Sequence, residues 1–121
     1  MTRMGFPGGR VPQLVDRLGD RTEELDLDQA EIATVLGASP RTVARWLRAE
    51  TSPSREARER LLEFLAVLDR LAGVLHPGAA HDWLFTPNAT LGNEKPATLL
   101  REGKYREVLG AVDALAEGVF F

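Results

Sequence analysis

The fold turns on residues 27–50, "LDQAEIATVLGASPRTVARWLRAE". Asp28 stands three residues before Glu31, the spacing of a capping box with aspartate in the serine or threonine role. A short helix therefore begins just after Asp28, and Ile32, Ala33, Val35 and Leu36 give it an apolar face. Gly37 follows the last periodic residue, where a helix-ending left-handed residue is needed and glycine meets no β-carbon penalty. Ser39-Pro40 then opens a second helix. Serine is the cap, and proline takes the first helical position, where its missing N–H costs nothing. Two short helices meeting at a glycine turn make a helix-turn-helix. Ala33 is the small residue where they touch. Val43 and Leu47 bury the second helix, leaving Arg41, Thr42, Ala44, Arg45 and Arg48 outward.

Arg41, Arg45 and Arg48 recur at i, i+4 and i+7 and form one basic stripe. Such a stripe suits a recognition helix, whose N-terminal half enters the major groove and whose arginines read guanine bidentately. The DNA-binding candidates are Arg41, Thr42, Arg45 and Arg48. Trp46 is read as packing between helices rather than stacking on a base. The net charge of −3 argues against a general nucleic-acid binder. The charge is uneven, however: residues 41–60 hold six arginines against three glutamates, and residues 61–121 hold five basic and eight acidic residues. A local basic patch suffices for a few phosphate contacts. On charge alone a solvated helical face is the simpler reading, and a helical hairpin can keep this shape without binding DNA.

Outward from this core the pattern stays helical. Residues 1–10 carry three glycines and a proline and read as a flexible tail. A helix is expected over about 11–24, with Leu14, Val15 and Leu18 inward and Gly19 a candidate early break. Ser52-Pro53 repeats the cap signal and opens the longest helix, about 53–75. There Leu61, Phe64, Leu65, Leu68, Leu71, Ala72 and Leu75 recur at 3.6-residue spacing. Leu62, Val67 and Val74 widen that stripe enough to imply packing on two sides, a second copy being one candidate for the second. Pro77-Gly78 reads as a turn, "AAHDWLF" as a short helix and "TPNATLGNEKP" as a loop. "PATLLRE" is a short helix ended by Gly103. The last helix covers about 104–117, with Tyr105, Val108, Leu109, Val112, Leu115 and Ala116 on one face. No segment alternates with period two, so the fold class is all-α.

Composition removes several functions. With no cysteine there is no disulfide framework and no thiolate metal site, which suits the cytosol. No apolar run approaches the ~20 residues of a membrane helix, and "MTRMGFPGGR" has no apolar h-region of a secretion signal. The expectation is a cytoplasmic chain without membrane contact. His76 and His81 lie off a common helical face, and no carboxylate is spaced to complete a metal site. Asp82 neighbours His81 in sequence, which does not by itself place their side chains together. Ser39, Ser52 and Ser54 read as caps or turn residues, and there is no glycine-rich phosphate loop. No enzyme, cofactor or metal is expected.

In the C-terminal half, Trp83, Leu84 and Phe85 anchor a loop that Pro87, Asn88 and Gly92 make compact; Pro96 starts a helix and Gly103 ends it. By turn chemistry alone this is a rigid corner between helices. Residues 25–121 nevertheless resemble the MbcA/ParS/Xre family of antitoxins. The matching positions are Trp83, Pro87, Asn88, Leu91, Gly92, Pro96, Leu99, Leu100, Gly103, Val108 and Gly118, following an "A..LG.S..TV.RW" helix-turn-helix in the right order.

The chain is divided into the tail over 1–10, a helix-turn-helix DNA-binding domain over 11–60 and a helical domain over 61–121, which the resemblance implies is toxin-binding. The resemblance also implies a RES-domain, NAD-consuming toxin as partner, neutralised by blocking its NAD site, and autoregulation on operator DNA. A homodimer is the expectation for a helix-turn-helix reading two half-sites, here within a hetero-oligomeric complex with the toxin. The implied toxin-binding residues are Trp83, Pro87, Asn88, Leu91, Lys95, Gly118, Val119, Phe120 and Phe121. Residues 1–10 have no counterpart in the family pattern. The alternative is an autonomous dimeric helix-turn-helix regulator without a toxin partner; a structural adaptor is a third reading. Burying one phenylalanine is worth ~1.5–3 kcal/mol, so "VFF" needs a place: this chain's own core, a partner's cleft, or a share of both.

Overall fold

Helices form here because the sequence supplies a partner for the backbone groups at most of their ends. The computed structural model describes residues 11–118. Among them are seven α-helices: α1 (Val11–Glu24), α2 (Gln29–Leu36), α3 (Pro40–Leu47), α4 (Arg55–Ala72), α5 (Pro77–Leu84), α6 (Pro96–Arg101) and α7 (Tyr105–Ala116). A 3-10 turn, Ala89–Leu91, lies between α5 and α6. The Asp28 carboxylate accepts the Glu31 N–H at 2.7 Å while the Glu31 carboxylate accepts the Asp28 N–H at 3.0 Å, a complete capping box. Gly37 ends α2 at φ 67°, in the left-handed region. Ser39 caps α3, its Oγ accepting the Thr42 N–H at 3.0 Å.

Several expectations are corrected. The longest helix starts at Arg55, not at 53: Ser54, rather than Ser52, accepts the Ala57 N–H at 3.1 Å. Pro53 is itself buried and shares a small cleft with Val15, Trp46 and Leu47, so it serves as an apolar plug before the helix. That helix ends at Ala72, which is exposed, and Leu62 points outward at 39 % exposure. Ala116 is exposed on α7 as well. Pro77-Gly78 is the first turn of α5 rather than a separate turn. Proline sits at the position that needs no N–H, and His76 Nδ1 accepts the Ala79 N–H at 3.3 Å. Gly19 does not break α1: Leu14, Val15 and Leu18 before it and Thr22 after it are buried, and they hold the helix through the position.

One hydrophobic cluster runs from Leu14 on α1 to Val112 on α7. α4 is its axis, packed against α1, α2, α5, α6 and α7, with Leu61, Phe64, Leu65, Val67, Leu68 and Leu71 essentially inaccessible. The central apolar stripe of α4, with Val67, is thus covered within this chain, whereas Leu62 and Ala72 stay exposed. Ion pairs strap the outside: Arg17 and Arg21 grip Asp69 at 2.6 and 2.8 Å, joining α1 to α4, and Arg70 pairs with Asp113 on α7. Such partly exposed pairs contribute little each. The packing sets the position of α3, which lies against both α1 and α2.

Candidate functional site

The basic stripe is on the surface. Arg41, Arg45 and Arg48 are all exposed on α3, while Val43 and Trp46 are buried beneath them. Trp46 is 5 % exposed and belongs to the core, as its sequence context implies. Ala44 is a correction: it is buried, at 7 % exposure, not outward. With α1 and α2 both against α3, the inward arc takes in 43, 44 and 46. Thr42 is half-buried and belongs to the cap, its Oγ1 accepting the Ser39 hydroxyl at 2.9 Å. Arg48 is engaged at once: its Nε donates to Glu50 Oε2 at 2.8 Å. Arg45 Nε lies 3.9 Å from the other oxygen of the same carboxylate. The hydrogen bond from Arg48, reinforced by its charge, holds the Glu50 carboxyl below the usual carboxylate range and raises Arg48 in turn.

A second surface lies at the far end of α5. Trp83, Pro87 and Asn88 come together with Leu75, Ala79 and Leu115 around an apolar groove of about 370 Å³, rimmed by Asp82 and Thr86. Trp83 is only half-buried. Asn88 builds the rim: its side chain accepts the Thr90 N–H at 2.9 Å and its N–H donates to the Glu94 carbonyl at 3.0 Å. Leu91 packs on the core and Lys95 is exposed before α6, and neither lines this groove. Gly118 is exposed after α7 with φ 75°, three residues beyond the groove-lining Leu115. Val119, Phe120 and Phe121 lie outside the described residues. Sequence reading missed Leu75 and Leu115 as groove residues because their helical spacing marks them equally well as core.

Two contacts tie the helix-turn-helix to the C-terminal helices. His81 Nε2 on α5 sits 3.0 Å from Glu31 Oε2, the free oxygen of the α2 capping box. Arg60 on α4 donates to the carbonyls of Leu100 and Arg101 at 3.2 and 2.7 Å, satisfying the end of α6. Neither contact is signalled by sequence, because each joins residues 40 or 50 positions apart. Among the described residues no group of three or more histidine, aspartate or glutamate side chains could hold a metal, and no helix is long and apolar enough to cross a membrane.

An exposed arginine stripe on a helix-turn-helix, followed by a helical unit with a tryptophan-lined groove, describes a two-part helical protein of the helix-turn-helix class. The chain matches a helix-turn-helix model over residues 20–68 and the antitoxin Xre/MbcA/ParS C-terminal toxin-binding domain over residues 74–118. It belongs to the Xre/MbcA/ParS family of antitoxins, which are not enzymes. It is 43 % identical over 110 residues to the mycobacterial cidal antitoxin MbcA of Mycobacterium tuberculosis and Mycobacterium bovis, covering 91 % of this chain and 97 % of theirs. The antitoxin Xre of Yersinia enterocolitica is 29 % identical over 97 % of this chain and 87 % of its own length. A chain in the crystal structure of the M. tuberculosis MbcT–MbcA toxin–antitoxin complex superposes with a TM-score of 0.80. It is 42 % identical and is matched over 89 % of this chain and 97 % of that one.

Proposed function

We propose that this chain neutralises a RES-domain, NAD-consuming toxin by covering the approach to its NAD site, and that it represses its own operon through α3. The observation that carries the reading is the match to a toxin-binding domain over 74–118, within a chain 42 % identical to one solved in a toxin–antitoxin complex. The division of labour is residues 11–60 for DNA and 61–121 for the toxin, although α4 spans that boundary. Trp83, Pro87 and Asn88 are assigned to the toxin-facing groove, and Leu91, Lys95, Gly118, Val119, Phe120 and Phe121 to the remainder of the toxin contact. An aromatic at the lip of an apolar groove is the kind of residue that dominates a protein interface. Arg41, Thr42, Arg45 and Arg48 face operator DNA as a dimer reading two half-sites, in the cytoplasm.

The test is co-expression with the product of the adjacent reading frame, followed by affinity capture and an NAD-depletion assay. A RES-domain neighbour is expected to co-purify, and NAD is expected to survive only when both are present. Trp83→Ala should weaken capture by ~2 kcal/mol, the scale of an interface hot spot. Deletion of 118–121 should leave a folded protein that protects cells poorly. Unimpaired protection by both variants would place the toxin surface elsewhere.

A further inference from the structure

The turn that leaves α3 aims an acidic side chain back at the recognition stripe. Ala49 adopts φ 60°, a left-handed conformation unfavourable for a residue with a β-carbon. The Ala49 N–H donates to the Trp46 carbonyl and the Glu50 N–H to the Arg45 carbonyl, both at 2.9 Å. This is the doubly bonded Schellman ending of a helix. It folds Glu50 back over the last turn, where its carboxylate meets Arg48 at 2.8 Å and Arg45 at 3.9 Å. Arg41, one turn earlier, has no acidic partner within ion-pair distance among the described residues. All four side chains are exposed, so the cluster does little for stability. It stands instead on the surface that DNA would approach.

We propose that Glu50 is a specificity-determining residue of the DNA-binding face, holding Arg48 back from the phosphates of arbitrary sequence. The proposal rests on the DNA-binding reading given above. Phosphate contacts position a protein but carry no sequence information, while base contacts from the N-terminal half of the helix do. Arg48 is the C-cap, at the end of α3 away from the bases, so its natural DNA partner is a phosphate. A free Arg48 would add the same attraction to every sequence. A carboxylate beside it removes that attraction and adds repulsion of its own. Arg48 then contributes only where base contacts from Arg41 and Arg45 have already fixed the docking.

The experiment is fluorescence anisotropy of the full chain at several salt concentrations, with two duplexes of equal length. One carries the sequence upstream of the chain's own reading frame and the other a randomised sequence. Glu50→Gln keeps the backbone turn and removes the charge. It is expected to tighten binding to the randomised duplex more than to the upstream one. The plot of log affinity against log salt should steepen by about 0.9, the release of one counterion. Adding Arg48→Gln to that variant should return the slope to its original value. An unchanged slope in Glu50→Gln, or equal tightening on both duplexes, overturns the inference. Arg45→Ala separates the two levels. If it abolishes preference for the upstream duplex while Glu50→Gln changes nothing, only the role of Glu50 fails. If the unaltered chain shows no preference and Arg45→Ala has no effect, the DNA-binding reading itself fails.

Discussion

Glu50 and Gly37 show how much one residue can decide here. Glu50 is exposed, yet the hydrogen bond from Arg48 and then its positive charge keep the carboxyl ionised below the usual range. The native value is depressed, so the small stabilisation is present above the unfolded-state value. It is lost as pH falls through the lowered one. An NMR titration of the Glu50 carboxyl should therefore move to higher pH in Arg48→Gln; an unmoved midpoint would mean that the pair does not persist in solution. Gly37 works through the backbone alone. Its φ is 67°, and a β-carbon there would meet nothing within 4 Å, so substitution brings strain without a clash. Gly37→Ala should destabilise the chain by about 1–2 kcal/mol, the cost of a left-handed residue with a β-carbon. Gly37→Asn should lose less, since asparagine tolerates that conformation, and urea unfolding measures both.

At the scale of elements, α3 depends on burial and α2 on its cap. Trp46 is the largest side chain under the recognition stripe, at 5 % exposure. Trp46→Ala should cost about 3–5 kcal/mol of stability and remove the proposed DNA binding through loss of the α3 platform, with circular dichroism reporting the loss. His81→Ala should cost about 1 kcal/mol, the net worth of one hydrogen bond, and act on α2 although His81 lies on α5. Faster hydrogen exchange at the α2 amides would register that transmission, and unaltered exchange would confine the loss to α5. The contrast explains what was legible in the sequence. Caps, glycine turns and 3.6-residue stripes are written within a few neighbouring residues, so α2, α3 and the core face of α4 could be read directly. Ala44 was misread because its burial depends on α1 and α2 closing on α3 from two sides. The start of α4 was misread because Ser52 and Ser54 carry the same local signal and only the burial of Pro53 separates them. Trp83, Pro87 and Asn88 were found by family pattern, whereas Leu75 and Leu115 complete their groove from helices that local spacing cannot bring together.

For the whole molecule the question is whether the two proposed functional halves fold as two units or one. The proposed boundary between residues 60 and 61 falls inside α4, and that helix buries Leu61, Phe64, Leu65, Leu68 and Leu71 in a cluster reaching from α1 to α7. His81 meets the cap of α2, Arg60 closes the end of α6, and α2 packs directly on α6. A helix-turn-helix separated from residues 61–121 would expose the inner faces of α1 and α2, and a chain this size has little stability to spare. Cooperative unfolding is therefore expected across the intended division of function. In a urea titration followed by NMR, the Ala44 amide on α3 and the Val112 amide on α7 should disappear with the same midpoint and the same slope. Leu68→Ala, which opens a cavity on the shared axis, should lower both midpoints together by the equivalent of ~2–5 kcal/mol. Loss of the α3 signals well before those of α7 would instead mean two independent units. Any communication between the proposed toxin groove and the proposed DNA face would then have to pass through an assembly with the toxin rather than through this core.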